Sequence, residues 1–218
     1  MSAILESTAP EWTLGDLYER FGPIPLSRIR RLPEPGTATE DDVLDVHDRE
    51  GRACELVDGI LVEKTMGQYE SMLAVRLSIL IGMFVRANRL GEVFGEAGFM
   101  KLRPGLIRIP DVSFVSKERL KTARIRPGGK IQALVPELAI EVLIPGNTKQ
   151  EMDRKLAEFF QAGVQLVWYV DPRVQRVTVY HAENQSEVIQ SPAELKGDPV
   201  LPGLSISLTE LFAPPEED

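Results

Sequence analysis

The spacing of apolar residues along this chain changes several times, and each change marks an element. Residues 53–64, ACELVDGILVEK, read as two short strands around Asp58-Gly59, a dipeptide suited to a two-residue hairpin turn. Residues 68–91, QYESMLAVRLSILIGMFVRANRLG, place apolar residues at helical spacing and predict one long helix ended by Gly91. Leu73, Leu77, Leu80 and Phe84 form one stripe; Met72, Val75, Ile79 and Met83 form a second. A helix this broadly apolar is expected to pack on more than one side. EVFGEAGFMKLRPG and IRIPDVSFVS, residues 92–105 and 107–116, supply short strands. The apolar run 136–144 predicts another strand, followed by a helix over 148–162. QLVWYVD, QRVTVYH, a polar meander and PGLSISLTELF close the pattern. Hairpin, long helix, strands, helix, strands implies an α/β or α+β domain, a mixed β-sheet flanked by two main helices.

Residues 1–50 read as an N-terminal helical arm, with short helices in TLGDLYERFG and TATEDDVLDVHDREG joined by the basic, Pro-rich GPIPLSRIRRLPEPG. The main domain is expected over 51–212, and 213–218 is an acidic tail. Residues 117–130, KERLKTARIRPGGK, read as a basic loop.

Composition narrows the function. Charged residues make up 27% of the chain and the formal net charge is −8, which argues against a surface coated in positive charge. Cys54 is the one cysteine, so no internal disulfide forms, which suits a cytoplasmic setting. The first residues lack the basic start and apolar run of a secretory signal. The longest apolar segment, around 72–85, is interrupted by Arg76, Ser78 and Gly82 and falls short of a membrane span. With two histidines and no paired cysteines, any metal is expected to be a hard, oxygen-liganded ion.

The acidic residues carry the candidate chemistry. Alternation along 136–144 puts Leu138, Ile140, Val142 and Ile144 on one strand face, and Glu137, Ala139, Glu141 and Leu143 on the other. Glu141 is thus a carboxylate inside an apolar strand, which is costly without a partner. Asp111 opens a second apolar strand after a proline. Two such carboxylates on adjacent strands repel, and a divalent cation would relieve that repulsion. Asn147 and Gln150 have capping-box spacing and mark the start of the next helix. On that helix Lys155 falls on or beside the face bearing Met152, Phe159, Phe160 and Gly163, within reach of the carboxylate strand. Glu70 projects inward at the start of the long helix; Glu55 and Asp58 are further candidates. Bland alternatives stay open. Asp111 could cap a turn, Glu141 could meet an arginine, and Lys155 could lie on the surface paired with Glu151. Glu70 could simply favour a helix N-terminus.

The blocks ELVDGILVEKTMGQYESMLA, IRIPDVSFVS, PELAIEVLIPGNTKQEMDRKLAEFFQAGVQLVWYVDPRVQRVTVY and VLPGLSISLTELF together resemble the Uma2 family, classed with restriction endonucleases in the PD-(D/E)XK nuclease superfamily. The resemblance runs from about residue 40 to 212. It implies a restriction-endonuclease-like core, with Asp111 as the acid of the PD motif and Glu141 as the acid of the second half-motif. The superfamily's usual lysine two residues later is Leu143 here. Lys155 matches the helix lysine that takes over in Uma2-like sequences, and Glu70 falls near an acid of the first core helix. The implied activity is endonucleolytic hydrolysis of DNA by metal-activated water. Asp111 and Glu141, assisted by Glu70, would hold Mg2+, with Mn2+ as its substitute, and Lys155 would be catalytic. Lys117, Arg119, Lys121, Arg124, Arg126 and Lys130 would meet the phosphates of double-stranded DNA, and SRIRR at 27–31 would add to them. A homodimer would place two such sites about a two-fold axis. The competing reading is a nuclease-fold module that binds nucleic acid or protein without catalysis.

Overall fold

The computed structural model describes residues 12–123, 125–127 and 129–214. Two short helices come first, α1 (Leu14–Phe21) and α2 (Glu40–Glu50). Thr13 caps α1 and exchanges hydrogen bonds with Asp16. Leu17, Phe21, Ile24 and Ile29 from this arm are buried in the same apolar cluster as Val57 and Met152.

The hairpin β1 (Cys54–Val57) and β2 (Ile60–Glu63) closes as expected around Asp58-Gly59. Both turn residues have positive φ, 51° and 78°, the signature of a turn whose twist matches the strands it joins. The long helix α3 (Gln68–Asn88) follows, then β3 (Gly91–Phe94), β4 (Met100–Arg103), β5 (Leu106–Arg108) and β6 (Val112–Ser116). Next come α4 (Lys117–Thr122), β7 (Leu138–Val142), α5 (Lys149–Ala162), β8 (Leu166–Asp171), β9 (Arg176–Ala182) and β10 (Gln185–Gln190). The chain closes with β11 (Glu194–Lys196), β12 (Ser205–Ser207) and α6 (Leu208–Leu211).

The central sheet has six strands in the order β10-β9-β8-β7-β6-β3. β7 and β8 run parallel, joined by α5, while the other neighbours are antiparallel. The mixed sheet predicted from the pattern is therefore present. A second sheet, β2-β1-β5-β4, and the small pair β11-β12 complete the fold. α3 covers one face of the central sheet, where Leu73, Leu77 and Ile81 meet Leu138, Ile140 and Trp168. On the other face, α5 packs Met152, Leu156 and Phe159 with Ala139, Val167 and Tyr169. The alternation read from β7 thus has a physical meaning. Its apolar row faces α3, and Ala139 and Glu141 face α5.

Four local expectations are corrected. α3 ends at Asn88, where Arg89 adopts the left-handed conformation, φ 54°, and its N–H closes the last turn. Gly91 instead opens β3, so close to β6 that a Cβ would lie 2.0 Å from the Val115 carbonyl oxygen. Of the second stripe of α3, Met72 packs against the core, but Val75, Ile79 and Met83 are 55%, 55% and 68% exposed. Residues 117–122 form a helix rather than a loop, capped by Ser116. The cap of α5 is Thr148, whose hydroxyl accepts from the Glu151 N–H at 3.1 Å. Asn147, one residue earlier, accepts from the Ile144 N–H and shapes the turn before it. Among the described residues, no helix is long and apolar enough to cross a membrane.

Candidate active site

β6 and β7 pair with Val112 opposite Ile140, and one more step in this register sets Asp111 opposite Glu141. Both carboxylates lie at the same end of the sheet, and both are buried. Asp111 Oδ2 accepts the Val142 N–H at 2.6 Å, tying the two strands together. Its Oδ1 lies 2.6 Å from Lys64 Nζ. That contact has charge but poor alignment, and Oδ1 takes part in no hydrogen bond. Lys64 follows β2 directly and also donates to the Ile109 carbonyl.

Lys155 reaches the site from α5. Its ammonium lies 3.3 and 3.4 Å from the two oxygens of Glu141 and 3.1 Å from Glu55 Oε1. Glu55, on β1, accepts the Ile109 N–H at 3.2 Å, and its other oxygen takes Arg108 Nη1 at 2.6 Å. Arg108 continues to Glu158 through Nε at 2.8 Å and through Nη2. Arg20 then contacts Glu158 at 3.3 Å and Asp58 at 2.5 Å. A chain of charges thus runs from the sheet end, under α5, to the hairpin turn.

Burial and charge set the protonation states. Burial pushes Glu141 up to about 7, against the pull of Lys155 and Lys64, and the neighbouring Asp111 and Glu55 charges add to the rise. Glu55 is equally buried, yet Lys155, Arg108 and Lys64 outweigh that burial and hold it far below the usual carboxylate range. Burial opposes the charge on Lys155 as well, but Glu141 and Glu55 keep it protonated.

The remaining sequence candidates divide. Glu70 is not brought to Asp111 and Glu141. Its carboxylate folds back over Gly67, where a Cβ would stand 2.0 Å from Glu70 Oε2. Among the described residues, no group of three or more acids, histidines or cysteines could hold a metal ion, so the expected three-acid set is corrected to a pair. Lys155 does not pair with Glu151. That acid is taken by buried Arg28, at 2.8 Å, which also removes Arg28 from the expected basic surface.

The basic segment sits elsewhere than expected. Lys117 follows the far end of β6, about 17 Å of strand from Val112. Arg119 is committed internally. It pairs with Glu137 at 3.0 Å and donates to the Val135, Pro136 and Gly163 carbonyls. Lys130 pairs with Asp41 at 3.0 Å. Lys117, Lys121 and Arg126 are exposed, and Arg124 lies outside the described residues.

The sequence pattern singles out Glu55 only as a further candidate and does not single out Lys64. A signal for both was available. Ile60, Val62 and Lys64 alternate onto one face, as do Glu55 and Val57, and the apolar members of both sets are core residues facing α5. A charged residue in the core register of a short strand marks an internal ion partner.

The chain is similar to known proteins both in sequence and in fold. The family model Uma2, described as "Putative restriction endonuclease", matches residues 40–209. A crystal structure described as a "putative nuclease belonging to DUF820", from Anabaena variabilis, superposes with a TM-score of 0.65 at 24% identity. The match covers 80% of this chain and 97% of that one, and it speaks for the fold. No curated protein matches the chain.

Proposed function

Because this chain belongs to the Uma2 family, we propose that it is a magnesium-dependent endonuclease, with Asp111, Glu141 and Lys155 at its active site. The observation that carries this reading is the opposition of Asp111 and Glu141 at one end of β6 and β7, together with the buried Asp111 Oδ1 that lacks a hydrogen bond. Magnesium takes one or two carboxylates and keeps several waters, so this pair of hard donors fits it. Asp111 and Glu141 would hold the ion. When bound there, it supplies a water of lowered pKa and positive charge beside the scissile phosphate.

The chain's own residues divide the remaining work. The Val142 N–H fixes one oxygen of Asp111 and so aims the other. Lys155, loosely held by Glu141 and Glu55, has the charge to stabilise a phosphate that gains negative charge. It does from α5 what a lysine at the Leu143 position would do from the strand. Exposed Lys117, Lys121 and Arg126 remain the cations for duplex DNA, and binding through them weakens steeply with salt.

A second reading has one observation in its favour. Each carboxylate of the pair already faces a buried lysine, as suits a nuclease-fold module that binds without cutting. Incubation of a plasmid and a duplex oligonucleotide with magnesium separates the two, with an RNA duplex as a parallel substrate. The enzyme reading expects nicking that EDTA stops and that Asp111→Asn and Glu141→Gln abolish, while circular dichroism stays native. Native protein that neither cuts any substrate nor takes up manganese in calorimetry would decide for the second reading.

A further inference from the structure

We propose that Lys64 is a positioning residue for the metal seat, one that holds Asp111 while no ion is bound and gives up that oxygen when magnesium binds. The inference rests on the reading of Asp111 and Glu141 as the metal ligands.

Asp111 has one oxygen to offer. Its Oδ2 is spent on the Val142 N–H, which leaves Oδ1 for an ion. Lys64 Nζ stands 2.6 Å from that Oδ1, and the two side chains are only 7% and 2% exposed. An ammonium group and a divalent cation seek the same lone pairs, so each lowers the affinity of that oxygen for the other.

Charge requires that one lysine move. Asp111 faces Lys64 and Glu141 faces Lys155, so two carboxylates are matched by two ammonium groups. A divalent ion brings two more positive charges among buried groups, where like charges repel strongly. Lys155 is the better held of the two lysines, because it bridges Glu141 and Glu55 from within α5. Lys64 contacts one carboxylate, without the alignment of a hydrogen bond, and one carbonyl, that of Ile109. It also opens the irregular segment 64–67 between β2 and α3.

Space for the released ammonium lies beside it. Lys64 lines a cleft of about 430 Å³ together with His47, Arg52, Glu63 and Glu96. Glu63 is already paired with Arg30 and Arg52. Glu96 is exposed and forms no ion pair among the described residues, so it is the carboxylate left to receive a cation. The Lys64 N–H is fixed to the Ala53 carbonyl at 2.9 Å, while a lysine stem is flexible. The ammonium can therefore turn into the cleft without shifting the backbone. A contact that suits a silent module thus equally suits an enzyme that keeps its acids neutralised until the ion comes.

Amine acylation of the full chain, followed by mass spectrometry of its peptides, reads the movement without any need for cleavage. Lys64 should label slowly in EDTA and about tenfold or more faster in saturating manganese, while Lys155 stays protected in both. By calorimetry, Lys64→Met should bind manganese about tenfold or more tightly than the natural chain does, and manganese should restore the stability that this variant loses in EDTA. A lysine that only props up the fold would give the opposite sign, weaker binding in the variant. Should Lys64→Met not fold, labelling of the natural chain still decides. A natural chain that binds manganese while Lys64 stays slow to label overturns this proposal and leaves the metal reading standing. So does a Lys64→Met chain that binds manganese no more tightly. If neither chain binds manganese, the metal reading fails and this proposal falls with it.

Discussion

The two ends of the buried charge chain are built from the same kinds of residue and are held very differently. At the Arg108 end, the guanidinium is gripped by Glu55 at 2.6 Å and by Glu158 through two nitrogens. A planar fork matched to carboxylates loses little freedom in such a contact. At the Glu141 end, a flexible lysine sits 3.3 and 3.4 Å from the carboxylate, and Asp111 Oδ1 faces Lys64 without alignment. Burial is nearly the same at both ends. What differs is satisfaction. The arginine end is closed and serves the fold. At the lysine end burial outweighs the pull of Lys155 and Lys64 and pushes Glu141 toward 7, while Glu55, shared between the ends, is pulled down by Lys155, Arg108 and Lys64.

The largest effect should come from breaking the closed end. Arg108→Met strands Glu55 and Glu158 in a buried setting, and losing one partner of such a pair costs about 3–5 kcal/mol. Chemical denaturation should register that loss, or the variant should fail to fold. A loss below about 1 kcal/mol would mean that the closed end is no structural anchor.

Lys155→Met should separate the ends by a different measure. Glu141 already lies near neutrality and can take up a proton when its lysine is gone, so this variant should lose less stability than Arg108→Met. The cleavage proposed above should fall about 100-fold or more in this variant. If both variants lost stability equally and Lys155→Met still cut DNA, the distinction between anchor and active end would collapse.

How much of this was legible in the sequence follows from the same contrast. β7, α5 and β8 were readable because alternation and helical spacing there agree with what each face buries. Glu141 stood out because a carboxylate interrupts that apolar run. Lys155 stood out less, because its helical position allowed Glu151 as easily as Glu141. What settled its partner was Arg28, more than a hundred residues earlier in the chain, which occupies Glu151. No local pattern could supply that. Lys64 was hidden at the end of a four-residue strand, too short for its register to be noticed. The outer stripe of α3 misled for the opposite reason. Apolar spacing reports that a face wants cover, and it does not say whether the cover comes from the same chain.

A smaller effect should appear as a function of pH. The Glu141 carboxyl has an ordinary value of 4.5 and sits near 7 in the fold. Between those values the folded protein binds more protons than the unfolded chain, so stability falls as pH rises through that window. Glu55 is shifted the other way, so its contribution is present above about 4.5 and is lost only as pH falls further. The two ends therefore act in separate pH ranges. Between pH ~5 and ~7, Glu141→Gln should flatten a decline of about 1–3 kcal/mol in unfolding free energy. An unchanged slope would mean that Glu141 is as well satisfied as Glu55.

The smallest effect comes from the helix that both ends share. α5 supplies Lys155 to the loose end and Glu158 to the closed one, and Thr148 caps it through the Glu151 N–H. Thr148→Ala should cost about 1 kcal/mol, the usual loss for a missing cap. Since it moves neither charge, it should lower the denaturation midpoint while leaving the pH slope and the cleavage rate of the folded protein near their natural values. That makes it the control for the other three variants. A loss of cleavage as large as that of Lys155→Met would show that the loose end depends on the seating of α5 as a whole. The activity change at Lys155 could then no longer be ascribed to its charge.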